Sequence, residues 1–163
     1  MSEDIYYNMI KDKTASLFGA CCELSALTSI ESKEAALCFK KFGLNFGMAY
    51  QIKDDLNDLT KSSKMLGKPA SLDLKKNMLT LPYIYCLDQM DVFERKKFLI
   101  SLKKLSKKGR RREVQKIIKK LGGISYTKCK MDEYIQEAFN SIENIPNVKE
   151  IKEFTGNIFN EKI

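Results

Sequence analysis

Gln51-Ile52-Lys53-Asp54-Asp55-Leu56-Asn57-Asp58-Leu59, followed nine residues after Asp58 by Gly67-Lys68-Pro69, decides how this chain reads. At about 3.6 residues per turn, positions 51, 54, 55 and 58 form one polar stripe of a helix, while Ile52, Leu56 and Leu59 point the other way. The segment predicts three carboxylates on one helical face and a lysine on a loop just beyond. Aspartate is a poor helix former, and like charges at i, i+4 repel by roughly 0.2–0.5 kcal/mol per pair. A cation in front of the stripe offsets both costs. Carboxylates alone rarely cage Mg²⁺, which keeps waters and is completed by substrate phosphates, and a lysine adds a point charge to such phosphates. Asp54, Asp55, Asp58 and Lys68 therefore suggest a metal-bridged diphosphate. The competing expectation is a solvated acidic face on a surface helix.

Outward from this segment, helical periodicity dominates and period-2 alternation is rare, with three prolines and eight glycines in 163 residues to interrupt it. The expectation is one all-α domain over residues 1–163. Helices are predicted over Asp4 to Gly19, Ala20 to Leu27, Ser32 to Thr60, Tyr83 to Met90, Val92 to Leu105, Arg111 to Leu121, Lys130 to Ile142 and Val148 to Phe159. Ser32 is the expected N-cap of the long third helix, whose buried side is Ala35, Ala36, Phe39, Phe42, Phe46, Ala49, Ile52, Leu56 and Leu59. Gly43 and Gly47 stack on one face of it. Each costs about 1 kcal/mol relative to alanine, so a second helix is expected to approach closely there. The aromatics Phe39, Phe42, Phe46 and Tyr50 are expected to pack between helices.

Composition limits the chemistry. With 44% hydrophobic and 31% charged residues the chain reads as globular, and no run approaches the roughly 18–20 apolar residues of a membrane span. The opening Met1-Ser2-Glu3-Asp4 lacks the basic flank and apolar stretch of a targeting segment. The five cysteines, at 21, 22, 38, 86 and 129, form no CxxC pair, which points to a reducing compartment, cytoplasmic or organellar. Histidine is absent, which removes imidazole bases and ligands. Chemistry here must run on carboxylates, lysines, metal ions and substrate groups. The net charge of +8 is local: Arg95 to Lys120 holds 13 Lys or Arg against Glu113 alone, +12, and the rest of the chain sums to −4. Without interleaved aromatics or a binding motif, this run is expected to be a solvated lysine-rich helical hairpin rather than a nucleic-acid surface.

Four fragments in order then resemble the C-terminal half of a trans-isoprenyl diphosphate synthase, the polyprenyl synthetase family, of long-chain type. Phe46-Gly47-x-Ala49-Tyr50-Gln51-Ile52-x-Asp54-Asp55-Leu56-x-Asp58 resembles the family's second aspartate-rich motif. Gly67-Lys68-Pro69-Ala70-x-x-Asp73-Leu74 and Thr80-Leu81-Pro82 resemble the element after it. Lys13-Thr14-Ala15-x-Leu17-Phe18 resembles its Lys-Thr site, and Tyr134-x-x-x-Ala138 with Ile145-Pro146 is a weaker match. The resemblance implies the C-terminal half of the isoprenoid synthase helical bundle. It implies that Asp54, Asp55 and Asp58 bind Mg²⁺ bridging to an allylic prenyl diphosphate, with Asp73 supporting the metal through water. Lys13, Thr14, Gln51 and Lys68 would contact that diphosphate, and Asp54, Asp55 and Lys68 would carry catalysis. Isopentenyl diphosphate would then be condensed with the allylic substrate, without need of a histidine base.

Two departures qualify the implied activity. Met78 stands where the family has a phosphate-holding lysine, and Lys75 and Lys76 are its cationic neighbours. The family's other aspartate-rich motif, its isopentenyl diphosphate site and its length-gating positions belong to an N-terminal half not found here. Met1 falls just before the first helix of the recognised half. The expectation is a truncated or proteolysed piece of a longer chain, or a subunit that another polypeptide completes, inactive alone and homodimeric when intact. The alternative is a non-catalytic regulatory or scaffolding subunit of a prenyl synthase.

Overall fold

In the computed structural model, which describes residues 2–29, 32–61, 79–108 and 110–160, all regular structure of the described residues is helical. Helix α1 (Glu3–Ile10) passes through a π-turn (Lys11–Ala15) into α2 (Ser16–Ser29). The break expected between Gly19 and Ala20 does not occur. Gly19 is in the chain for closeness: a Cβ there would lie 2.8 Å from Leu44 Cγ. The interruption comes earlier, as a wider helical turn carrying Lys13 and Thr14. Single π-turns inside α-helices recur at functional sites.

Helix α3 (Lys33–Thr60) begins as expected, with the Ser32 hydroxyl accepting the Ala35 N–H at 3.2 Å. Helix α4 (Leu81–Asp88) starts two residues before its expected position because Pro82 is tolerated in the first turn, where its missing N–H has no partner to lose. Asp91 caps α5 (Val92–Lys107), accepting the N–H groups of Phe93 and Glu94 at 2.7 and 2.8 Å, while Glu94 accepts the Asp91 N–H at 3.0 Å.

Helix α6 (Arg111–Lys120) is closed two residues on by Gly122, whose φ of +84° suits the left-handed residue that follows a helix. Helix α7 (Gly123–Ser141) begins seven residues before the expected Lys130. Gly123 opens it because a Cβ there would meet the Pro82 carbonyl oxygen at 2.4 Å, so only glycine lets the two segments touch. Helix α8 is Lys149–Asn160.

The described residues divide into two compact units, each built from segments distant in sequence. One draws on Met1–Tyr6 and Asp54–Cys129, the other on Tyr7–Lys53 and Lys130–Lys162. In the first, Leu56, Leu59, Tyr83, Cys86, Leu102, Val114, Ile118 and Ile124 form the core, with Phe98 and Leu105 against it. The rings of Tyr85 and Tyr126 stack at 4.2 Å on its margin.

In the second unit α2 and α3 run antiparallel, since Gly47 meets Ala15, Gly43 meets Phe18 and Lys40 pairs with Glu23 at 2.9 Å. A Cβ on Gly43 would come within 2.5 Å of the Phe18 carbonyl oxygen, and one on Gly47 within 2.6 Å of Ala15 Cα. The expected close approach is therefore met by α2 at Gly43 and by the end of the π-turn before it at Gly47. Phe39, Phe42 and Phe46 are buried as expected, with Phe46 against Phe18 at 5.2 Å and Phe159 at 5.6 Å; Tyr50 remains 44% exposed.

Candidate functional site

Residues 51–59 are helical, and Ile52, Leu56 and Leu59 are buried as the periodicity predicts. The polar stripe departs from a solvated acidic face. Gln51, Asp55 and Asp58 are 7%, 7% and 6% exposed, and Asp54 is half-buried. A carboxylate withdrawn from water must find charge or hydrogen bonds in the protein. The neighbours that supply them were not legible as site residues.

In the first unit, fully buried Tyr6 donates its hydroxyl to Asp55 Oδ2 at 2.8 Å. Arg111 donates to the Asp58 backbone carbonyl at 2.7 Å. Burial pulls the Arg111 guanidinium below its ordinary pKa, and the negative charge of Asp58 opposes that shift, with Tyr83 acting the same way. Its Nε is buried without a hydrogen-bond partner among the described residues, as is Asn57 Oδ1. Arg111 thus leaves the solvated hairpin to which the basic run assigned it. A signal was present: Arg111, Val114 and Ile118 stand at i, i+3, i+7, and the last two are core residues.

In the second unit, the Thr14 hydroxyl donates to Gln51 Oε1 at 2.7 Å, which brings together two of the residues expected to contact a diphosphate. Lys13, on the same π-turn, is exposed. Lys53, inside the opening motif but assigned no role, is 6% exposed. Its ammonium donates to the Ile158 carbonyl in the last turn of α8 and lies 5.6 Å from the Phe159 ring centroid. A cation at a helix C-terminus also meets the negative end of its dipole. Periodicity could have flagged it, since Ala49, Ile52, Lys53 and Leu56 share the i, i+3, i+4, i+7 face.

Lys68, Asp73 and Met78, with Lys75, Lys76 and the Gly67-Lys68-Pro69 turn, lie outside the described residues. Among the described residues no three acids or cysteines are grouped to hold a metal ion by themselves. The first unit presents a buried Asp55 held by Tyr6, a buried Asp58 beside Arg111 and a half-buried Asp54, and the second presents a hydroxyl–amide pair at Thr14 and Gln51. Cys21, Cys22, Cys38, Cys86 and Cys129 are free thiols. Burial pushes the Cys86 thiol up to about 11 from 9.0 and the Cys22 thiol up as well, so neither is poised as a nucleophile.

Comparison with known proteins supplies a context for this geometry. The family model for polyprenyl synthetase matches residues 1–121. A prenyl transferase of Cyanidium caldarium is 35% identical over 151 residues, 89% of this chain and 46% of that protein. Heptaprenyl diphosphate synthase component 2 of Bacillus subtilis is 31% identical over 144 residues, 86% of this chain and 40% of that protein. The crystal structure of a geranylgeranyl pyrophosphate synthetase from Pyrococcus horikoshii matches with a TM-score of 0.85 at 27% identity, covering 99% of this chain and 50% of that one. The chain spans about half the length of the relatives it matches.

Proposed function

Because this chain belongs to the polyprenyl synthetase family, we propose that it supplies the second aspartate-rich wall of a prenyl-transfer site, condensing isopentenyl diphosphate with an allylic diphosphate. The observation that carries this reading is the state of the acids. Asp55 is buried with the Tyr6 hydroxyl donating to it, and Asp58 is buried with Arg111 bonded to its backbone carbonyl, an arrangement too costly for a merely solvated face. Asp54 is less covered than Asp55 and Asp58.

The donor chemistry fits Mg²⁺, a hard cation usually bound by one or two carboxylates and completed by water and substrate phosphate. In this reading Asp54, Asp55 and Asp58, with Asp73 in support, would hold the ion, which would supply Lewis acidity for loss of the diphosphate. Lys13 and Lys68 add positive charge where negative charge develops as the allylic C–O bond breaks and its electron pair leaves with the diphosphate. Thr14 donates its hydroxyl to Gln51 Oε1 and so orients that amide, whose N–H₂ is the group of the pair that donates to a phosphate oxygen. The isopentenyl double bond then forms the new C–C bond, and the proton lost from it passes to the released diphosphate. Tyr6 positions Asp55, and Arg111 sets the charge around Asp58.

The remaining wall, with the isopentenyl diphosphate site, comes from a further half of the protein or from a partner polypeptide, and the intact enzyme is a homodimer. The test is reconstitution. Supplying a matching N-terminal half restores incorporation of radiolabelled isopentenyl diphosphate, and Asp54→Ala abolishes it; an Asp54→Ala protein of undiminished activity sinks the assignment. Met78, at a position where the family carries lysine, favours a second reading, a non-catalytic subunit that keeps the fold. Calorimetric titration of the completed complex with Mg²⁺ and an allylic diphosphate analogue separates the two. Tight Mg²⁺-dependent binding excludes the purely structural role.

A further inference from the structure

Helix α5 has a face that neither the core nor the acidic site uses. Its inward side is Phe98, Leu102 and Leu105, with Leu102 fully buried. At about 100° per residue, Phe93 and Ile100 fall on nearly one line, opposite Leu102. Both are 66% exposed, and neighbouring Val92 is 72% exposed. The same wheel places Lys96 and Lys103 along one flank of this ridge and Lys97 and Lys104 along the other, all of them exposed. The Lys97 ammonium lies 4.2 Å from the Phe93 ring centroid. The capping box at Asp91 and Glu94 fixes the helix from its first turn, so the ridge is set before any partner arrives.

Apolar residues exposed singly need no explanation, but an aligned apolar ridge between two rows of lysines is a specific arrangement. It matches a helix lying in the plane of a bilayer surface, where apolar side chains reach the acyl boundary and lysine stems run along it to bring their ammonium groups to phosphate level. Charge complementarity selects among surfaces. The four lysines beside the ridge belong to the segment Arg95 to Lys120, which carries +12 while the rest of the chain carries −4.

We propose that α5 docks this protein on an anionic lipid bilayer, Phe93 and Ile100 entering the interface and Lys96, Lys97, Lys103 and Lys104 meeting headgroup phosphates. The attachment is peripheral, since no helix among the described residues is long and apolar enough to cross a membrane. A nucleic acid is the poorer fit. The ridge is largely aliphatic where base stacking needs aromatic faces, and its one ring already carries a lysine over it. The inference stands independently of prenyl transfer.

Co-sedimentation of the full chain with large unilamellar vesicles tests it. The protein binds vesicles containing roughly one-third phosphatidylglycerol and leaves pure phosphatidylcholine vesicles in solution, and raising salt from about 0.1 M to about 1 M releases it. Replacing the four lysines together by glutamate weakens binding at least about 100-fold, each cation being worth about five-fold. Phe93→Ser with Ile100→Ser weakens it about ten-fold with all charges retained. Far-UV circular dichroism on these surface variants verifies the fold. Absence of binding to anionic vesicles overturns the proposal, and so does equal binding to neutral ones. An unchanged Phe93→Ser, Ile100→Ser variant overturns insertion. If single-stranded RNA binds and displaces the protein from vesicles, with loss only in the lysine variant, the surface is one for nucleic acid instead.

Discussion

Tyr6→Phe isolates the physics that holds the acidic site. The ring stays, so packing around a fully buried side chain is preserved and only one oxygen is removed. That oxygen donates at 2.8 Å to Asp55, a carboxylate only 7% exposed, where water cannot readily replace the lost donor. Hydrogen bonds to charged groups contribute about 1.5–3 kcal/mol, and an unmet buried group costs its full desolvation. The variant is therefore expected to lose about 1.5–3 kcal/mol, equivalent to roughly 3–12 °C in Tm for a chain of this size. Urea unfolding followed by far-UV circular dichroism measures the loss as a lower midpoint with unchanged slope. Ser16→Ala serves as control, because its hydroxyl bond to the Asp12 carbonyl is exposed, and its change should stay within about 0.5 kcal/mol. A Tyr6→Phe protein equally indistinguishable from the parent would refute the claim that Asp55 depends on this donor.

Two further outcomes test other parts of the structure. Gly43→Ala should gain about 1 kcal/mol of helix propensity yet destabilise the protein by about 1–3 kcal/mol net, because the new Cβ meets the backbone of Phe18 at 2.5 Å; a raised Tm would mean that α2 does not lie so close. Cys86 is raised to about 11 by burial, with its bond to the Gly123 backbone opposing, so the folded state holds the thiol proton more tightly than the unfolded state at 9.0. Its contribution is fully present below about pH 9 and is lost as pH rises through about 11. Cys86→Ala should flatten the stability-against-pH curve across that window, and a curve of unchanged slope would assign the decline to other groups.

The parts of the fold legible in advance were those set by neighbours within one or two turns. Ser32 capping Ala35, the apolar side of α3 and the small faces at Gly43 and Gly47 follow from side-chain periodicity and from backbone groups that need partners nearby. Boundaries failed where a distant contact intervened. Gly123 reads locally as a helix breaker, but its contact with the Pro82 carbonyl turns it into the first residue of α7. Gly19 likewise reads as a stop, and its packing on Leu44 lets the helix continue.

The sequence by itself determined an all-α chain of this family and placed Gln51, Asp54, Asp55 and Asp58 on one face of α3. That much follows from spacing and side-chain type, which are local. Only the tertiary structure decided the condition of those acids. Tyr6 comes from 49 residues before Asp55, Arg111 from 53 residues after Asp58, and the carbonyl that receives Lys53 from 105 residues away. Whether a carboxylate is a solvated surface charge or a buried, held one depends on which distant groups surround it, and no periodicity in the chain encodes those distances.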